Sequence, residues 1–388
     1  MNIHSWFSQL STRQRFWLLG TTAIIIIIVG FGIVMHPAGK AENLARFNID
    51  MSIRDIAPTL NVTGKALAHE LKLPIDVSKQ KSLKALGVTP EELRHVAKHL
   101  LFHRDSMLKY YVYVALVLGG LIFLVRIGRP DLSDVKHRCE WYPRTPYIVF
   151  LMLSVVVAGF LLGKSPNPME GVVKIFKSMA GLYPDPIAKT IAFLFFIVLA
   201  VIGNKMICGW ACPFGALQEL IYSIPILRRI KQRKLPFLLT NTIRAGLFAV
   251  MLLFLFGIIG GRKGVVIYHY INPFNLFNLD FETFSILLTV ILSLLGAFII
   301  YRPFCQFICP FGFISWMTER FSIIRVRIDK DKCTECGLCI KACPLEAAKG
   351  LVYAKKLPAD CFSCARCLKV CPVDAIQYKS VFKKGLIG

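Results

Sequence analysis

Apolar residues in this chain gather into long unbroken runs rather than narrow amphipathic stripes. Six stand out: 16–35, 110–127, 147–163, 187–204, 238–260 and 281–301. About 20 apolar residues in a helix cross a hydrocarbon core of roughly 30 Å. The runs therefore predict a polytopic bundle of six transmembrane helices. The first follows Arg13 and Arg15 and is longer than the apolar core of a signal peptide, which favours an uncleaved helix. Lys189 and Arg244 lie near the ends of their runs, where a long stem lets the charge reach the headgroups.

The polar intervals sort by charge. Arg126, Arg129, Lys136, Arg138 and Arg144 lie between the second and third runs. Lys205, Arg228, Arg229, Lys231, Arg233 and Lys234 lie between the fourth and fifth. The alternate intervals, 164–186 and 261–280, hold only Lys164, Lys174, Lys177, Arg262 and Lys263. The positive-inside rule then places both termini on the cytoplasmic side of a prokaryotic inner membrane. Residues 36–109 form the one large outer interval and read as a small helical domain. Thr89-Pro90-Glu91-Glu92 is a capping box with proline at the first helical position, opening a helix to about His103. Ser52 and Ser82 open two shorter helices. The outer placement argues against nucleic acid as a partner of this domain. His95, His99 and His103 recur every four residues, a spacing that also arises on amphipathic helices without a ligand.

Composition agrees with a membrane body. The 388 residues are 55% hydrophobic, and 47 basic against 23 acidic residues leave a formal charge of +24. A basic excess points to nucleic acid, anionic lipid or membrane topology, and the loop charges account for much of it here. Membrane lipid is the first partner implied.

Cysteine spacing carries the chemistry. Twelve of the 13 cysteines fall into paired patterns, which speaks against disulfides. Cys333-x2-Cys336-x2-Cys339-x3-Cys343-Pro344 is followed by Cys361-x2-Cys364-x2-Cys367-x3-Cys371-Pro372. A [4Fe–4S] cubane takes four thiolates, three from one motif and the fourth from the other. One cluster thus takes Cys333, Cys336, Cys339 and Cys371, and the second takes Cys361, Cys364, Cys367 and Cys343. Structural zinc sites use two ligand pairs instead. Thiolate-bound clusters are assembled in a reducing compartment, which independently puts the tail in the cytoplasm. Residues 328–388 carry 11 basic and 6 acidic side chains, a surplus that offsets anionic clusters or meets an acidic partner.

A second pair of motifs lies against the apolar runs. Cys208-x3-Cys212-Pro213-Phe214-Gly215 and Cys305-x3-Cys309-Pro310-Phe311-Gly312 are 97 residues apart. Asn167-Pro168 and Asn272-Pro273 precede the fourth and sixth runs. Outer Asn-Pro, spanning helix and inner cysteine motif recur in one orientation, which predicts a parallel internal repeat. On one helix, i and i+4 would put both sulfurs on one face. The four cysteines would then converge at the inner boundary as a candidate third redox or metal site. The bland alternative is four small apolar residues. Phe214 to Arg229 has amphipathic spacing suited to the inner surface. Cys139 has no partner in spacing.

Taken together, Cys-Gly-Trp-Ala-Cys-Pro-Phe-Gly at 208–215, Cys-Gln-Phe-Ile-Cys-Pro-Phe-Gly at 305–312 and the two ferredoxin motifs resemble the NapH/NosR-type membrane ferredoxins. The resemblance covers roughly residues 145–388. It implies a polytopic inner-membrane electron carrier between quinol or cytoplasmic donors and periplasmic reductases, or one that supports metalloenzyme maturation. Two departures stand out. No Ser-Gly-Ala-Thr motif of the covalent-flavin members is present, and residues 36–109 add to the minimal four-helix form.

The expected fold is mainly α. An N-terminal tail and first helix (1–35) lead into an outer helical domain (36–109) and a transmembrane core (110–302) with the first Cys-x3-Cys-Pro. A linker with the second such motif (303–327) joins the core to an α+β two-cluster ferredoxin domain (328–388). The expected function is electron transfer between a cytoplasmic or quinone-linked donor and a membrane or periplasmic redox partner. A membrane metal reductase, an assembly factor or a redox sensor are the rivals. No acid–base constellation is readable, so an electron carrier is favoured over a stand-alone catalyst.

Overall fold

The computed structural model describes residues 48–380 except 61–63, 75–76, 79, 105–107, 128–143, 164–166, 183–185, 225–233, 261–264, 280, 282 and 355–358. The first apolar run and Cys139 lie outside the described residues. The helical domain expected on the outer side begins with α1 (Ile53–Thr59) and α2 (Gly64–Glu70). Ser52 donates to the Asp55 carboxylate from its backbone N and its Oγ, fixing the start of α1. Ser82 opens only one 3-10 turn, Lys84–Leu86, and not the expected helix. Gly87 ends it at φ 77° in the left-handed region that stops helices. The capping box behaves as read: Glu92 N donates to Thr89 Oγ1, and Thr89 N donates back to the Glu92 carboxylate. It opens α3 (Pro90–Arg104). His95 is exposed on α3, and the side chains of His99 and His103 are outside the described set. Ile53, Ile56, Leu60, Leu67, Leu83 and Leu93 close a small core of their own.

The helical body follows. Its first half contains α4 (Leu108–Ile127), α5 (Arg144–Leu153), α6 (Pro168–Met179), α7 (Pro186–Gly203) and α8 (Pro213–Ser223). The second half holds α9 (Phe237–Leu255), α10 (Phe284–Gly296), α11 (Pro303–Phe307) and α12 (Pro310–Thr318). A π-helical stretch, Ser154–Leu161, continues α5, and a second, Ile207–Ala211, precedes α8. Among the described residues, only α9 is long and apolar enough by itself to cross a bilayer. The other runs form shorter apolar helices, at 111–124, 147–161, 189–203 and 284–296. Val149, Met152, Phe160 and Leu161 on the first of the two halves, and Phe284, Leu292 and Leu295 on the second, are exposed.

The two Asn-Pro segments are not surface loops. Asn167 Oδ1 accepts from Glu170 N and opens α6, while Asn272 Oδ1 accepts from Phe274 N and opens a 3-10 helix, Pro273–Asn278. Both fold back into the body. Helix α6 lies against α7 and α12. Phe274 meets Phe214 with centroids 6.0 Å apart, and Gly159 leaves the space where Phe277 and Pro213 come together. The cysteine motifs are thus packed from behind. The amphipathic reading of 214–229 also changes over its described part, 214–224; 225–229 lie outside the described residues. Phe214, Gln218, Glu219 and Tyr222 are all buried, and α8 is an interior helix.

The tail domain is tied at its ends by β1 (Ile324–Ile328) and β2 (Ile376–Ser380), antiparallel with Ile324 opposite Ser380 and Ile328 opposite Ile376. Between them lie α13 (Leu338–Ala342), α14 (Ala347–Val352) and α15 (Arg366–Lys369). The domain docks on the end of α7. Ile323 N donates to Val201 O at 2.9 Å, and Tyr378 Oη donates to Gly203 O at 2.6 Å.

Candidate iron–sulfur centre

The tail cysteines divide between two cavities along the crossed pattern. Cys333, Cys336, Cys339 and Cys371 line one. Cys343, Cys361, Cys364 and Cys367 line a second, larger one of about 260 Å³. Left-handed backbone turns the chain around them: Glu335, Gly337, Ser363 and Ala365 all have positive φ. Three cysteines two residues apart can surround one volume only if the chain coils tightly, and these residues supply that coil. Burial pushes the thiols of Cys339 and Cys364 up to about 11. Cluster ligands are thiolates, so loading the sites releases these protons. Among the described residues no three His, Cys, Asp or Glu side chains are gathered closely enough to share one metal ion. The donor set, four cysteines lining each cavity, fits a cubane with one thiolate per iron.

The other four cysteines also come together, but not as two pairs each on one helix. Cys208 lies in the π-helical turn and Cys212 is the N-cap of α8, extended at φ −73° and ψ 115°. Cys305 lies in α11 and Cys309 caps α12, extended at φ −62° and ψ 117°. Proline explains the break. The residue before proline is driven out of the helical region, and proline then starts the next helix. Gly312 N donates to Cys309 Sγ at 3.4 Å, and Gln218 Nε2 donates to Cys305 Sγ at 3.6 Å. Each sulfur of this quartet lies within electrostatic reach of sulfur from the other motif.

Around the quartet is a set of buried charges that sequence reading missed. Arg244 is fully buried rather than snorkelling: it donates to Cys305 O at 3.1 Å and pairs with Asp360 at 3.0 Å. Lys205, read as a loop charge, is also fully buried, pairing with Asp360 and donating to Gly312 O at 3.2 Å. Arg302 donates to Cys208 O, to Gly209 O at 2.9 Å and to the Glu219 carboxylate at 3.0 Å. Glu219 also pairs with Arg366. Burial alone would raise the Asp360 carboxyl, but Arg244 and Lys205 outweigh it and hold it below the usual range. Burial pushes Glu319 up to about 8 despite the pull of Lys205. One signal pointed to these residues: Lys205 and Arg302 are 97 residues apart, each three before the first cysteine of its motif.

These charges join the quartet to the tail. Asp360 and Arg366 immediately precede Cys361 and Cys367 in sequence. Trp210 Nε1 donates to Ser363 O at 3.1 Å, and Ser363 Oγ donates to Gly203 O and Asn204 O. A Cβ at Gly209 would overlap the Phe362 carbonyl, so only glycine lets the two backbones touch. The glycine that closes each Cys-Pro-Phe-Gly has a matching reason. A Cβ on Gly215 would lie 2.8 Å from an Arg302 nitrogen, and one on Gly312 would lie 3.0 Å from an Arg244 nitrogen.

A family model described as a 4Fe-4S binding domain matches residues 189–234, which contain Cys208 and Cys212. Two models described as 4Fe-4S dicluster domains match residues 326–378 and 303–347. The ferredoxin-type protein NapH of Haemophilus influenzae is 28% identical over 206 residues, 51% of this chain and 68% of its own length. The putative electron transport protein YccM of Escherichia coli is 25% identical over 186 residues, 46% of this chain and 52% of its own. The regulatory protein NosR of Stutzerimonas stutzeri is 30% identical over 151 residues, 37% of this chain and 20% of its own. The chain is similar to this group of ferredoxin-type electron-transport proteins. It is an iron–sulfur electron-transfer protein with [4Fe–4S] clusters. The match spans only half of YccM and a fifth of NosR. No solved structure matches the chain.

Proposed function

We propose that this ferredoxin-type protein is a multi-pass relay in which a cytoplasmic tail delivers electrons to a quartet of cysteines inside the helical body. Cys333, Cys336, Cys339 and Cys371 hold one cluster, and Cys361, Cys364, Cys367 and Cys343 hold the second. Cys208, Cys212, Cys305 and Cys309 hold a third. Each bound cluster supplies one-electron transfer without bond making. The observation that carries this reading is the seam between tail and body. The loop with Cys361, Cys364 and Cys367 lies directly on the turn that bears Cys208, through Trp210–Ser363 and Gly209–Phe362. Cys336 is exposed at the far cavity, which makes that end the port for a soluble or quinone-linked donor.

The membrane placement rests on the exposed apolar side chains of the short helices and on the charge of the loops. The first run, 16–35, adds a sixth span, and residues 36–109 form the outer domain. The short spans are workable because α6 and the 3-10 helix at 273–278 fold back among them. Irregular backbone at membrane depth is tolerated where protein surrounds it.

Iron analysis tests the reading. The intact chain should hold about twelve irons and a variant with Ser at 208, 212, 305 and 309 about eight, at four per cluster. Eight irons in both would remove the third cluster. Copper bound by the quartet in place of iron would turn the relay into a metal reductase.

A further inference from the structure

Lys205 and Arg302 occupy the same register of the two repeats, and each does the same unusual thing. Both are fully buried. Both have left-handed backbone, at φ 59° and φ 47°. Side chains with a Cβ rarely persist there unless the surroundings hold them. Each reaches from its own motif to the other: Lys205 to Gly312 O, and Arg302 to Cys208 O and Gly209 O. Arg244 supports the second motif at Cys305 O. Cys208 faces Lys205 and Arg302, and Cys305 faces Arg302 and Arg244, with the anion Asp360 behind them. The tail sites differ. Cys361 faces Glu319, and Cys364 faces Glu219 as well as Arg366. Cys339 faces the half-buried Lys234 as well as other cysteines. Three fully buried cations thus lie at the quartet, against Arg366 and the half-buried Lys234 at the tail sites.

We propose that the crossed pair Lys205 and Arg302 sets the quartet as the highest-potential site of the chain, so that an electron entering the tail comes to rest there. Adding one electron to the quartet site adds one negative charge, forms no bond and moves no proton; the tail site that gives it up is oxidised by one. Buried cations favour that added charge, and net charge and burial are among the factors that set cluster potentials. They are positioning residues, since they touch carbonyls of the ligand loops. This inference rests on the presence of a third cluster.

An EPR-monitored redox titration of the full chain tests it. In the unaltered protein the signal lost on Cys305→Ser should titrate above both tail signals. Arg302→Gln should lower that signal's midpoint by 59 mV or more, a tenfold change in a one-electron equilibrium, with the tail midpoints unmoved. Arg302→Lys, which keeps the charge, should restore most of it. Lys205→Gln gives a second reading if Arg302→Gln does not fold, and retained tail signals report folding in both. Eight irons in the unaltered chain would overturn the third cluster and the inference together. Twelve irons with a quartet midpoint below the tail, or unmoved by both substitutions, would overturn the inference alone.

Discussion

Replacing Glu219 by Gln should loosen the tail from the body. Glu219 is fully buried and holds two guanidinium groups, Arg302 at 3.0 Å and Arg366. Removing one partner from a buried ion pair costs about 3–5 kcal/mol, because the remaining charge is left without compensation. Arg302 keeps its bonds to Cys208 O and Gly209 O, which argues for the lower end. At 1.4 kcal/mol per factor of ten, about 3 kcal/mol is roughly a hundredfold shift toward the undocked state. Arg366 belongs to the segment that carries Cys364 and Cys367, so the opening should be local to that loop. Hydrogen exchange of the amides at 359–368, in detergent or nanodiscs, reads it directly. Exchange there should rise about a hundredfold, while the outer-domain helix α3 is unaffected. Protection at 359–368 unchanged in the variant would refute the reasoning, since the ion pairs would then contribute nothing to docking.

Gly209→Ala should also undock the tail, because the new Cβ would overlap the Phe362 carbonyl; limited proteolysis should cut the tail of this variant faster, and the same cutting pattern would contradict the tight backbone contact. Thr89→Ala removes a cap whose loss costs about 1 kcal/mol, so the melting of the outer domain should shift down while the cluster absorbance is unchanged. Glu319 has a folded pKa of about 8, above its unfolded value, so the native state holds an extra proton between the two. Stability should therefore fall as pH rises through that window toward 8, and Glu319→Gln should flatten the slope of thermal unfolding against pH.

How much was legible depended on how local each feature is. The cluster motifs are local: two residues between successive cysteines and a following proline dictate the coil, and the residues of each crossed set line a common cavity. The capping box at Thr89 was legible for the same reason. Long-range features were not. A single Lys in an interval rich in basic residues reads as a topology signal, and nothing near Lys205 in sequence announces its partner Asp360, 155 residues later. Arg244 sits near the end of an apolar run, where snorkelling is the ordinary use of a long cation, yet besides Asn241 on its own helix its partners come from 305 and 360. Treating Cys-x3-Cys as one helical face failed because the proline after the second cysteine also constrains that cysteine. The Asn-Pro segments were read as outer loops because hydropathy does not distinguish a loop from a chain that folds back.

In the proposed relay, the cluster on Cys343, Cys361, Cys364 and Cys367 is the tail's contact with the quartet. Spin coupling in the EPR spectrum of the fully reduced protein tests it most directly. Cys305→Ser should narrow the signal of the cluster that Cys343→Ser removes and leave the signal removed by Cys371→Ser as it was. Narrowing of the Cys371-dependent signal instead, or of neither, would contradict the account.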